Sequence, residues 1–210
     1  MAKDMRKIVE KGYDDGNYLE KYRLDDKIDE YPFEKKNLDK LTKLLKKGAK
    51  ILDLGSGPGI PYDKYLVNQG FDVTGIDISK KHIDIARKNV PKARYIKGDF
   101  SKVDFEKESF HAIVSFYAIF HVPRDEHRNL FIRINELLKK DGIILVTLGT
   151  SDSEYGEEEK FCGASMAWSS YDPDTAKEII RESGFDILEA TFEGEPGDDE
   201  YHLWVLAQKI

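Results

Sequence analysis

The segment ILDLGSGPG at residues 51–59 constrains the fold of this chain more than any other. An apolar run ends at Leu54, and Gly55, Gly57 and Gly59 follow at alternate positions, where the absence of side chains lets the backbone turn sharply and approach a ligand. A loop of this kind works between a strand and a helix, with the ligand beside the helix N-terminus. The rest of the chain supplies matching elements. Short apolar runs bounded by Gly or Asp recur as AKILDL (49–54), FDVTGID (71–77), ARYIKGD (93–99), FHAIVSF (110–116) and GIILVTLG (142–149), as expected of parallel strands covered on both faces.

Helical periodicity fills the intervals. Ser79 is placed to cap a helix over 79–89, and Leu130, Phe131, Ile134, Leu137 and Leu138 share one face of a helix predicted over 124–139, ending before Gly142. Asp172 and Pro173 open a further helix that stops at Ser183 and Gly184. This alternation implies an α/β fold, a doubly wound, Rossmann-like sheet with helices on both faces. Two last runs, FDILEATFEG (185–194) and YHLWVLAQK (201–209), break the pattern: their short link, EPGDDE, makes an antiparallel hairpin and brings the strand count to seven.

The 210 residues are read as a single domain without internal repeats: an N-terminal helical cap (1–33), a cofactor-binding core (34–149), a substrate lid inserted after the fifth strand (150–171), and a C-terminal helix and hairpin (172–210). Cap and lid are rich in aromatic residues, and long additions to a rigid sheet commonly build substrate sites. The lid starts with the polar TSDSEYGEEEK, read as a mobile arm, and turns apolar at FCGASMAW. A net charge of −7 argues against nucleic acid as the main partner. The lysines of KKNLDKLTKLLKKGAK are expected on the wet face of a helix packed through Leu38, Leu41 and Leu45. No apolar run is long enough to span a bilayer, no signal segment is visible at the N-terminus, and Cys162 is the single cysteine, so a cytoplasmic protein is expected.

Which nucleotide the loop serves turns on three residues. Asp77 follows Gly57 by 20 residues, where an acid can hold both hydroxyls of a ribose. Ile60 occupies the position at which a dinucleotide site needs Gly or Ala. Asp53 beside the loop would repel a pyrophosphate but favour a cation. S-adenosylmethionine, with an ammonium, a sulfonium and no phosphate, answers all three, and a nicotinamide-dependent reductase is disfavoured.

At these residues the sequence resembles the class I S-adenosylmethionine-dependent methyltransferases, small-molecule type. ILDLGSGPG is similar to the family's first motif, GIDIS (75–79) to its acidic second-strand motif, KGDF (97–100) to the third, and FHAIVSFYAIFHVP (110–123) to the fourth-strand motif. The resemblance implies the strand order 3-2-1-4-5-7-6 with the last strand antiparallel. It also implies cofactor contacts at Asp53, Gly55, Ser56, Gly57, Asp77, Ile78, Asp99, Phe100 and Ser115, with Asp99 near the adenine amine. GYDDGNY (12–18) partly resembles an N-terminal element that covers the cofactor, through Tyr13 and Tyr18.

Methyl transfer from a sulfonium is an in-line displacement that requires alignment, and a base only if the nucleophile begins protonated. Substrate-facing candidates project from the carboxyl ends of strands four and five. Tyr117 and His121 follow strand four, and His121, with an ordinary pKa of about 6.5, is the candidate base near neutrality. His202 begins the antiparallel last strand and so lies at the same end of the sheet. GASMAWSSYD (163–172) and HVPRDEH (121–127) resemble segments of a subset of small-molecule methyltransferases, which implies Met166 and Trp168 as acceptor-pocket walls. The expectation is a methyltransferase for a small molecule, using S-adenosylmethionine without a metal, monomeric or homodimeric, with no nucleic-acid or membrane partner. A non-catalytic S-adenosylmethionine sensor and a methyltransferase for protein or RNA remain open alternatives.

Overall fold

The central strands carry apolar residues on both faces because helices cover both. In the computed structural model, which describes residues 4–22, 26–198 and 201–210, β1 (Lys50–Leu54) turns Leu52 and Leu54 to one core and Ile51 to the other. The same division by alternate residues holds in β4 (Phe110–Ser115), with Ile113 on one side and Ala112 and Val114 on the other. Parallel pairing joins β1 to β2 (Asp72–Asp77), β2 to β3 (Arg94–Lys97), β1 to β4, and β4 to β5 (Leu138–Leu148).

Before β1 come α1 (Met5–Asp15), α2 (Tyr18–Tyr22) and α3 (Pro32–Leu44), in which Leu38 and Leu41 are fully buried and Lys36 and Lys43 are exposed. Between strands lie α4 (Tyr62–Asn68) and α5 (Lys80–Asn89), the latter capped by the Ser79 side chain accepting from the His82 backbone N–H. A 3-10 turn (Arg124–Glu126) leads into α6 (His127–Leu137). This helix ends earlier than its periodicity predicts: Leu138 is fully buried opposite Phe110 and opens β5, so Lys139 and Lys140 continue a strand. Pairing with β4 satisfies these backbone groups, which a further helical turn would leave at a helix end.

Residues 150–171 also differ from expectation. In place of an irregular polar arm, β6 (Ser153–Phe161) and β7 (Ala164–Ser170) form a separate two-stranded antiparallel sheet. Cys162 and Gly163, both at positive φ, make its turn. The buried face belongs mainly to β7: Met166 and Ala167 pack on Met5 and Val9 of α1 as a small satellite cluster, with Phe161 at the end of β6 against it. β6 is the outer strand, which is why its sequence reads as solvated loop.

After α7 (Pro173–Glu182), β8 (Phe185–Glu193) and β9 (His202–Lys209) form the C-terminal hairpin; the final two residues of its EPGDDE link lie outside the described residues. The seven-stranded sheet has the order β3-β2-β1-β4-β5-β9-β8, with β9 antiparallel to both neighbours, as the family resemblance implies. Leu148 pairs with Leu203, so the start of β9 stands beside the carboxyl end of β5. No helix among the described residues is long and apolar enough to cross a membrane.

Candidate active site

The carboxyl ends of β1, β2, β3 and β4 open onto one cleft. Gly55, Ser56 and Gly57 come from the glycine loop, Asp77 and Ile78 from the end of β2, Asp99 and Phe100 from beyond β3. Tyr117 and His121 come from beyond β4, and Tyr13 and Tyr18 reach in from the N-terminal segment. Gly55 has φ +84° and a Cβ there would overlap that of Ala118, so no other residue lets the loop pass so near β4's exit.

Asp77 organises the loop. Its Oδ2 accepts from the Gly57 N–H at 2.8 Å and its Oδ1 from the Ser79 N–H at 2.8 Å. His82, one turn into α5, is 2% exposed, with Nδ1 3.6 Å from Asp77 Oδ1. Neither His82 ring nitrogen nor the Ser56 hydroxyl has a hydrogen-bond partner among the described residues. Buried polar atoms without partners at the wall of a cleft fit a ligand that brings hydroxyl or amine groups.

Asp99 accepts twice from Ser101, through N–H at 3.0 Å and Oγ at 2.7 Å, and pairs with Arg6 Nε at 2.7 Å. Burial alone would raise its pKa; the Ser101 hydrogen bonds and the charges of Arg6 and Lys102 outweigh it and hold the carboxyl below its usual range. Arg6 also forks onto Glu126, so α1 is clamped across the cleft mouth. A second clamp joins Asp14 of α1 to Ser79 Oγ at 2.6 Å and to the Lys81 N–H at 3.1 Å.

Tyr13 and His121 meet beneath α1, oxygen to Nε2, at 2.8 Å. His121 Nδ1 lies 2.8 Å from the Ala167 carbonyl, which can only accept. The ring proton therefore sits on Nδ1, and Nε2 accepts from the Tyr13 hydroxyl. Burial pushes the His121 pKa down to about 4, only partly offset by the Ala167 hydrogen bond and by Asp77. His121 is thus neutral at pH 7 and does not titrate near neutrality as its ordinary value suggests, because the cap removes it from water.

Five of the residues singled out from the sequence are placed behind the cleft wall. Asp53 is 2% exposed and neighbours the fully buried Asp63. Ser115 is fully buried and its hydroxyl donates to the Leu54 carbonyl at 2.7 Å, tying β4 to β1. Met166 anchors the β-hairpin to α1, and Trp168 packs edge-on against Phe161. His202 stacks on Phe120 and meets the Tyr117 ring edge-on. The Tyr117 hydroxyl donates to Glu193, which also accepts from Trp204 Nε1 at 2.9 Å. Arg6, His82 and Glu193 escape a reading of motifs: Arg6 and Glu193 matter through partners far away in sequence, and His82 carries only the local cue of standing three residues after a helix cap.

Comparison with known proteins follows the same lines. A family model described as a methyltransferase domain matches residues 51–142. An uncharacterised methyltransferase of Alkaliphilus oremlandii is 31% identical over 114 residues, covering 54% of this chain and 52% of the relative. The chain spans about half the length of that curated relative. The solved PH0226 protein of Pyrococcus horikoshii OT3 superposes with a TM-score of 0.71 at 21% identity, covering 92% of this chain and 98% of that one. Magnesium protoporphyrin IX methyltransferase of Synechocystis PCC 6803, solved with S-adenosylmethionine bound, gives 0.75 at 14% identity, covering 100% and 99%. At such identities these structures speak to the fold.

Proposed function

We propose that this chain, which belongs to the class I S-adenosylmethionine-dependent methyltransferases, binds S-adenosylmethionine in the cleft beneath α1 and moves its methyl group to a small-molecule acceptor. The observation that carries the acceptor class is the closure of the cleft. Helix α1, held by the Arg6 and Asp14 clamps and by the β6–β7 hairpin at its back, covers a cleft lined by Tyr13, Tyr18, Tyr62, Phe100, Phe116 and Tyr117, which suits a small acceptor. The magnesium protoporphyrin IX methyltransferase of the same fold acts on a small molecule, in keeping with this reading.

When bound, S-adenosylmethionine supplies a methyl group on an excellent leaving group, so the protein has to align the nucleophile and exclude water. Alignment of this kind is worth roughly 7–11 kcal/mol. The glycine loop at 55–57 admits the cofactor, Asp77 takes the ribose hydroxyls, Ile78 and Phe100 flank the adenine, and Asp99 accepts from its amine. Tyr13 and Tyr18 form the cover. His121 acts as a positioning residue: by accepting the Tyr13 proton it turns the phenol's lone pairs toward the cleft, where they can orient a donor on the acceptor. Glu193 does the same for Tyr117.

Incubation with methyl-labelled S-adenosylmethionine and fractionated cell extract tests the reading. Label in a small molecule is the expected outcome. Label confined to protein or RNA would overturn the acceptor class, and tight cofactor binding with no label in any fraction would favour the sensor.

A further inference from the structure

His82 lines the cleft as a buried imidazole left without a hydrogen-bond partner among the described residues. It stands in the first turn of α5, pinned by its backbone N–H, which donates to the Ser79 side chain at 3.0 Å. The rings of Tyr13 and Tyr18 lie over it, with centroids 5.0 and 6.2 Å from its own. An apolar side chain would fill this place without leaving polar atoms unsatisfied, so an imidazole here calls for a partner brought by a ligand.

The acceptors around Asp77 identify that partner. Asp77 Oδ1 accepts from the Ser79 N–H at 2.8 Å, and His82 Nδ1 faces the same oxygen at 3.6 Å. That contact is too long for a hydrogen bond, yet it fixes the tautomer: a carboxylate only accepts, so in the neutral ring the proton belongs on Nδ1 and Nε2 keeps a lone pair. Oδ1 thus faces two N–H groups. Oδ2 accepts from the Gly57 N–H alone and has room for one more donor. A ribose held there by one hydroxyl has a second hydroxyl proton to place, and His82 Nε2 is the unused acceptor beside it.

We propose that His82 is a cofactor-binding and specificity-determining residue, whose Nε2 accepts from one ribose hydroxyl while Asp77 Oδ2 accepts from the other. This rests on the proposed function and deepens it by dividing the diol between two residues. Nε2 is sealed from water in the free protein, so the ribose reaches it as the covering Tyr13 and Tyr18 rings shift.

Calorimetric titration with S-adenosylhomocysteine and its two monodeoxy analogues, each lacking one ribose hydroxyl, tests the idea in the wild type, in His82→Leu and, as a second apolar replacement, in His82→Met. For one analogue the wild type should lose affinity by about three- to tenfold, the scale of a single hydrogen bond, and the variants should lose almost none. For the other, held by Asp77, the loss should be equal in all three proteins. The free variants should also melt higher than the wild type, because the unpartnered buried nitrogens are gone. Equal losses in all three proteins for both analogues would overturn the proposal, and a lower melting temperature beside them would make His82 a packing residue. Binding of S-adenosylhomocysteine to none of the proteins would overturn the proposed function along with it.

Discussion

Tyr13 and His121, 108 residues apart in sequence, are joined by a 2.8 Å hydrogen bond that ties helix α1 to the turn after β4. The bond makes the cap part of the active site. Tyr13→Phe keeps the ring but leaves His121 Nε2 buried without its donor, at an expected cost of about 1–3 kcal/mol. Thermal melts should show that loss, and single-turnover assays a slower methyl transfer with cofactor affinity changed little. Unaltered stability and transfer would mean that the contact is incidental.

His121 also sets a pH limit. Its pKa is near 4 folded and about 6.5 unfolded, so the folded state binds fewer protons in that interval. The stability this group contributes is complete above pH 6.5 and is lost as pH falls toward 4, by about 3 kcal/mol. Asp63 works in the opposite direction, gaining stability as pH falls through 6, so the signature of His121 is best isolated by difference. The stability gap between the wild type and His121→Asn should shrink from pH 7 to pH 4; a constant gap would refute the assignment.

Asp77 serves two purposes that a single substitution should expose together. Asp77→Ala should weaken S-adenosylhomocysteine binding by about 1.5–3 kcal/mol, the scale of hydrogen bonds to a charged group. It should also lower the melting temperature, since the Gly57 and Ser79 N–H groups lose their acceptor. Calorimetry with an unchanged dissociation constant would remove Asp77 from the ribose site.

Arg6 is the test of the cap. Arg6→Ala removes the clamp on Asp99 and Glu126, so amide exchange should quicken along α1 while β1, β4 and β5 keep their protection. Exchange in α1 that matches the wild type would show that the hairpin alone holds it.

Legibility in the sequence followed locality. The seven strands, the glycine loop and the Ser79 and Asp172 caps rest on neighbours within a few residues, and each is where periodicity and cap chemistry put it. The end of α6 was not legible, because Leu138 joins β5 through a partner in β4. The β6 strand was not either: its exposed faces give no alternation, and its order comes from pairing with β7. Asp63 reads as one more charge on an amphipathic helix until Tyr95 and Asp53 are seen around it. His82 becomes notable only once α1 folds over it. Met166, Trp168 and His202 sit near the right end of the sheet yet behind its lining, a distinction of side-chain direction that spacing does not carry.

The central claim is that the cleft beneath α1 binds S-adenosylmethionine, and isothermal titration with S-adenosylhomocysteine addresses it most directly. The expected result is one site per chain with a dissociation constant in the micromolar range or tighter, a melting temperature that rises with ligand concentration, and no response to NAD. Binding of NAD with none of S-adenosylhomocysteine would contradict the account.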